Sequence, residues 1–136
     1  MTVTIDLNVI LDMLLRRGEY AACLELLTLC KDGKLKGTIP SHGLPTIYYV
    51  IRKQRGHEAA LAAIKYLLEF LDVIPVDAEM LRRASIANFK DFEDSIVAQA
   101  AEESGSAYII TSNGKDFLTS RVPAISPEDF LTKYAE

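Results

Sequence analysis

Cysteine occurs twice, histidine twice, and basic residues are outnumbered by acidic ones. Cys23 and Cys30 lie seven positions apart in what reads as one helix, a rise of about 10 Å that puts them beyond disulfide reach. They read as buried thiols suited to a reducing cytoplasm. With no Cys/His cluster, zinc is an unsuitable metal. Lys and Arg total 15 against 19 Asp and Glu, a net charge of −4. No global basic field therefore draws the chain to nucleic acid or anionic lipid, and any polyanion must meet a local patch. Apolar runs such as Val9 to Leu11 or Leu67 to Leu68 fall far short of the roughly 18 residues of a membrane span. Asp6 and Asp12 interrupt the region where a signal peptide needs an apolar middle. The expected location is the cytoplasm, away from membranes.

What remains is ordinary globular material: 136 residues, 49% hydrophobic and 25% charged. The expectation is a single domain over 1–136, burying roughly two-thirds of the unfolded surface without help from disulfides.

Short β-type runs alternate with helical patterns, which predicts an α/β fold with a mainly parallel sheet of about five strands. The strands fall at Val3 to Ile5, Leu35 to Ile39, Val73 to Val76, Tyr108 to Thr111 and Ala124 to Ile125. The spacing predicts helices over Asn8 to Leu15, Tyr20 to Lys31, Pro45 to Arg55, His57 to Leu71, Asp77 to Asn88 and Phe92 to Ser104. A last helix opens at Ser126-Pro127, with Ser126 as its cap. Cys23, Leu26, Leu27 and Cys30 form one apolar stripe, and Leu61, Ile64, Leu68 and Leu71 another. Ser112-Asn113-Gly114 reads as a turn.

Ligands of open parallel sheets bind at the carboxyl ends of the strands. Asp6 directly follows the first strand, and Asp116 lies in the loop after the fourth. Lys90-Asp91-Phe92-Glu93-Asp94 places three more acids at a helix start. Carboxylates converging without basic partners repel by roughly 3 kcal/mol per pair at about 5 Å and an effective dielectric near 20. A divalent cation removes that cost, and oxygen-only ligands suit Mg²⁺ or Mn²⁺. Each acid also has a structural reading. Asp6 caps the helix that begins near Asn8, and Asp91 with Asp94 completes a variant of the capping box. Asp12 reads as an oriented or solvated helix residue and Glu93 as solvent-facing. Arg52, Lys53 and Arg55 make the most concentrated basic patch, with Arg16 and Arg17 next, and a solvated helix face accounts for them equally well.

These blocks, taken together, resemble a family. Thr4-Ile5-Asp6-Leu7-Asn8-Val9-Ile10-Leu11-Asp12 is similar to the opening D-x-N-V-h-L-D of PIN-domain proteins, the fold of VapC-type toxin nucleases, where h is apolar. Asp91-Phe92-Glu93-Asp94-Ser95-Ile96 resembles the third acidic block of the family, in which the position of Asp94 ligates metal. Tyr108-Ile109-Ile110-Thr111-Ser112-Asn113-Gly114-Lys115-Asp116-Phe117 resembles its closing T-x-N-x-x-D-F. The resemblance implies a three-layer α/β/α sandwich and a metal-dependent ribonuclease. In it Asp6, Asp94 and Asp116 hold Mg²⁺ or Mn²⁺, which activates a water and offsets phosphoryl charge. Asn8, Asp91, Thr111 and Asn113 would orient those ligands, with turn chemistry as the other reading of Asn113. Arg52, Lys53 and Arg55 would grip single-stranded or structured RNA. An antitoxin partner and a homodimer are further implications.

One position departs from the pattern. The family's second acid falls in the helix after the second strand, in a context like E-I-Y-Y, where this chain has Thr46-Ile47-Tyr48-Tyr49. A neutral hydroxyl is a poorer ligand, so Thr46 puts a second metal and the catalytic rate in question. Ser41 and His42, in the preceding loop, are candidates for a hydrogen bond to water or phosphate, while a lone loop histidine more often takes no part. Two rivals remain. A non-catalytic relative would keep the fold and bind RNA or a protein partner. A receiver domain would need a phosphate-accepting Asp after the central strand, where Asp77 looks like a helix cap.

Overall fold

Short β-branched runs and amphipathic helices alternate along residues 1–135, which the computed structural model describes. Strand β1 (Thr2–Ile5) leads into α1 (Leu7–Leu15) and α2 (Tyr20–Lys31), and β2 (Lys36–Pro40) into α3 (Gly43–Arg55) and α4 (His57–Leu68). β3 (Asp72–Ile74) leads into α5 (Ala78–Ile86) and α6 (Phe92–Glu103). β4 (Tyr108–Ile110) runs into a 3₁₀ helix (Gly114–Phe117), and β5 (Ala124–Ile125) precedes α7 (Pro127–Ala135). The sheet order is β3-β2-β1-β4-β5 and every pairing is parallel, so β1 is central.

A parallel sheet must be covered on both faces, and the strand alternation does this. Val3, Ile5 and Ile110 pack with Leu26 and Leu27 of α2 and Phe130 of α7. Ile109 turns the other way, onto Val97 and Ala101 of α6 and Phe117. The result is the three-layer α/β/α arrangement expected. Thr4 shares the α6 side, where its hydroxyl lies 2.9 Å from that of Thr38 and 2.8 Å from that of Ser106. That hydroxyl cluster satisfies polar groups which would otherwise be stranded in the core. No helix among the described residues is long and apolar enough to cross a membrane.

Side-chain caps set several helix starts. Asp77 accepts from the Met80 amide at 2.9 Å, Asp91 from the Asp94 amide at 2.9 Å, and Ser126 from the Asp129 amide at 3.1 Å. The predicted stripe of α2 is buried at all four positions. The stripe read for α4 is shifted. That helix ends at Leu68, which is 50% exposed, and it buries Ala60 and Leu67, while Leu71 is buried beyond its end. Four alanines and three leucines crowd this helix, so its periodicity admits two faces, and packing against α3 selects the other one. β2 and β3 each begin one residue from the predicted start, and β3 ends at Ile74 rather than Val76. Gly114 opens the 3₁₀ helix, so the predicted turn is a bend followed by a helical turn.

Gly37 in β2 shows how tight the layer is. A Cβ there would stand 2.7 Å from Cys30 Sγ, 2.9 Å from Leu71 Cδ2 and 3.1 Å from Ile5 Cδ1. Three buried side chains would have to move together. Gly37→Ala is expected to cost about 1–3 kcal/mol by overpacking, read as a lower urea midpoint with an unchanged slope.

Candidate metal and nucleic-acid site

The carboxyl edge of β1 carries a charge where burial is most expensive. Asp6 is 3% exposed. Its position is fixed by the sheet, since the Asp6 amide donates to the Ile110 carbonyl at 3.0 Å, continuing the β1–β4 ladder. One carboxylate oxygen accepts from the Thr111 hydroxyl at 2.8 Å and the other from the Asn8 amide at 3.4 Å. Asp6 thus caps α1 and faces the fourth strand at once. Thr111 is buried and acts as a relay, because its hydroxyl also accepts from the Asn113 amide at 3.1 Å. Asn8 and Asn113 therefore serve through their main chain, and both residues are exposed. Burial raises the Asp6 pKa, the Thr111 hydrogen bond opposes that shift, and the nearby Asp116 charge adds to it.

Asp94 enters from the first turn of α6. Its carboxyl is raised to about 7, first by burial and then by the charges of Asp91, Asp6, Asp116 and Glu93. The three predicted ligands therefore sit within one another's field. Asp116, exposed on the 3₁₀ helix, is held there by its amide donating to the Asn113 carbonyl at 3.0 Å. None of these acids makes an ion pair among the described residues. The donor set is oxygen-only, mutually repelling and without a cation, which fits a hard divalent ion. Among the described residues no three His, Cys, Asp or Glu side chains stand close enough to enclose an ion. Water or phosphate oxygens would fill such a shell, as is usual for Mg²⁺.

An open groove of about 570 Å³ runs past Asp91, Asp94 and Asp116, bounded by Phe89, Leu118 and the lysines Lys90 and Lys115. A larger cavity of about 760 Å³ lies beside it, lined by Arg83, Gln99 and Arg121 and several acids, and contains none of the three.

Several expectations change here. Glu93 is not solvent-facing: it is half-buried, and burial together with the Asp6 and Asp91 charges raises its pKa. Helix α6 buries residues on almost every side, which draws its first turn into the protein. Arg52, Lys53 and Arg55 do not line the groove; they occupy the last turn of α3. Its cations are Lys90 and Lys115, and the signal for them was a lysine directly preceding each of Asp91 and Asp116. Ser41 is engaged elsewhere, accepting from the Val76 amide at 3.0 Å. Both ring nitrogens of His42 are buried without a partner, and burial lowers its pKa, so it offers no hydrogen bond at an open surface. The Thr46 hydroxyl donates to the His42 carbonyl at 3.4 Å and makes no hydrogen bond to the acids. Arg17 is held by Asp12 at 3.0 Å, which makes Asp12 structural, as expected.

A five-stranded parallel sheet with acids gathered beyond the carboxyl end of its central strand defines a class of α/β folds. Within it, the family described as PIN domain matches residues 2–115, and the chain belongs to that family. No curated protein matches it by sequence. Solved structures share the fold. The sarcin-ricin-loop-cleaving VapC toxin of Mycobacterium tuberculosis superposes with a TM-score of 0.70 at 15% identity, covering 88% of this chain and 95% of that one. The DNA-bound VapBC of Salmonella typhimurium gives 0.69 at 16%, covering 93% and 98%. VapBC-1 of nontypeable Haemophilus influenzae gives 0.68 at 16%, covering 94% and 99%.

The raised Asp94 carboxyl has a consequence for stability. A carboxyl whose folded pKa exceeds its unfolded value takes up a proton on folding, so the stability it contributes is present at low pH and lost as pH rises through about 7. In a chelator, the metal-free protein is expected to resist urea better as pH falls from about 8 to about 5.5. Asp94→Asn should flatten that dependence and raise stability at the alkaline end. A profile unchanged by the substitution would remove Asp94 from the repelling cluster.

Proposed function

We propose that the protein is a divalent-metal-dependent endoribonuclease acting in the cytoplasm as the toxin of a toxin–antitoxin pair. The observation that carries this reading is the buried, hydroxyl-anchored Asp6 within the field of Asp94 and Asp116, without a neutralising cation. Membership of the PIN family supports it, as does likeness to a toxin that cleaves the sarcin-ricin loop. The relatives solved as VapBC complexes support an antitoxin partner for this chain, and a homodimer accords with the same family.

Asp6, Asp94 and Asp116 would hold Mg²⁺ or Mn²⁺. When bound, such an ion lowers the pKa of a water and offsets charge growing on the scissile phosphate. The chain's own residues do the rest. Thr111 fixes the Asp6 carboxylate in one orientation, and Asp91 holds the start of α6, from which Asp94 projects. Lys90 and Lys115 flank the groove and would pair with phosphates on either side of the cut, while Phe89 and Leu118 offer apolar surface to a base. One observation favours a second reading, a weakly active or inactive PIN protein that binds RNA or a protein. Thr46 stands where the family has its second acid, and its hydroxyl is already engaged within α3.

Cleavage of single-stranded RNA with Mn²⁺ or Mg²⁺ separates the readings. The natural protein is expected to cut slowly, and Asp6→Asn and Asp116→Asn to lower the rate by about 10²-fold or more. Thr46→Glu, by adding an oxygen ligand, should tighten Mn²⁺ binding measured by calorimetry and raise the rate. Cleavage that survives Asp6→Asn would remove Asp6 from the mechanism, and no cleavage by any form would leave the binding reading.

A further inference from the structure

Three cations stand together at the far end of the α3–α4 hairpin, where the one acid in the first turn of α4, Glu58, forms no ion pair with them. Arg52, Lys53 and Arg55 are all exposed, and none makes an ion pair among the described residues. Arginines elsewhere are mostly neutralised: Arg17 by Asp12, Arg82 by Glu79, Arg83 by Glu79 and Glu103, and Arg121 by Glu102. A helix C-terminus favours cations and so accounts for part of this cluster. It does not account for Tyr49, which is 61% exposed and shares a helix face with Arg52 and Lys53 at i+3 and i+4.

The support beneath Tyr49 is built. Its neighbour Tyr48 packs edge-on against it at 5.3 Å between ring centres, and the Tyr48 hydroxyl lies 2.6 Å from Nδ1 of His57, the first residue of α4. Gly56, at φ 91°, makes the turn between the helices in a backbone conformation that favours glycine. The hairpin end therefore presents an aromatic face ringed by free cations on a braced support. Bases stack on such faces while phosphates pair with the cations.

We propose that this hairpin end is a second RNA-contact surface, distinct from the acid-lined groove, which holds the flank of the substrate through Tyr49, Arg52, Lys53 and Arg55. The inference rests on RNA being the substrate. The basic turn lies about 15 Å along α3 from its start at the carboxyl edge. A strand stacked at about 3.4 Å per nucleotide needs roughly five nucleotides to cover that length. Short RNAs would reach the groove alone, and longer or folded ones both surfaces.

The test measures binding of a labelled single-stranded RNA and of an RNA stem-loop to Asp116→Asn protein, without divalent ions, across a salt series. Combined Arg52→Gln, Lys53→Gln and Arg55→Gln should reduce the slope of log affinity against log salt by about 2. Tyr49→Ala should weaken binding roughly tenfold while Tyr49→Phe, which keeps the ring, should not. Melting curves check that these exposed substitutions leave the fold intact. In protein with the natural Asp116, the same changes should raise KM for the long RNA and leave cleavage of a trinucleotide unaltered. An unchanged salt slope, a Tyr49→Ala protein that binds normally, or an absence of RNA binding would each overturn the inference. So would a hairpin that takes up only an acidic protein. A protein that binds RNA as expected and cuts none would fail the nuclease reading alone. One that cuts RNA with an unaltered slope would fail this inference alone.

Discussion

The hydrogen bond from Thr111 to Asp6 ties the first and fourth strands together at the point where a carboxylate is buried. An ionised carboxylate away from water is costly unless hydrogen-bonded or paired, and Asp6 has one short bond and one long one. Strand register makes the short bond possible: Ile5 lies opposite Ile110, so the next residue on each strand, Asp6 and Thr111, meets beyond the ladder. A one-residue slip would turn Asp6 to the other face and leave its charge without a donor. Geometry at the sheet edge is thus inherited from packing within it. Val3 and Ile5 on one side and Thr4 on the other oppose a one-residue slip.

Once Asp6 is placed, the rest of the edge follows electrostatically. Asp94 arrives from α6 and Asp116 from the 3₁₀ helix, and neither brings a cation close enough to pair. Repulsion in such a cluster is relieved either by protonation or by a divalent ion. Asp94, raised to about 7, takes up a proton near neutral pH. A proton and a divalent ion would compete there, so the same crowding that costs stability would favour a hard cation under the proposed function.

The fold was legible because each level of the sequence agreed with the next. Alternating strand and helix patterns, the caps at Asp77, Asp91 and Ser126 and the stripe of α2 all pointed to one parallel sheet. The places of Asp6 and Asp116 at the carboxyl edge were legible for a related reason, since Asp6 directly follows β1 and Asp116 lies on the connection that leaves β4, and strand ends locate themselves. What failed was whatever depended on helix rotation. Alanine-rich α4 could bury either of two faces, and Glu93 was misread because its neighbours in sequence do not reveal that α6 is enclosed almost all round. The places of Ser41 and of the α3 cations relative to the groove were not legible, because distance along a loop or helix says little about where a side chain ends in space.

The placement of the α3 cations leaves the molecule electrically divided. With a net charge of −4 and its acids gathered at the carboxyl edge, a polyanion meets repulsion at the groove that the proposed function assigns to it. Lys90 and Lys115 counter this only locally. At physiological ionic strength the Debye length is about 8 Å, so cations about 15 Å along α3 are largely screened from the acids at its starting edge. Each group therefore acts on its own neighbourhood. Under the proposed function, grip on a long strand and chemistry at the cut would then be set by different residues, so a weaker ligand at Thr46 would not entail a loss of RNA affinity.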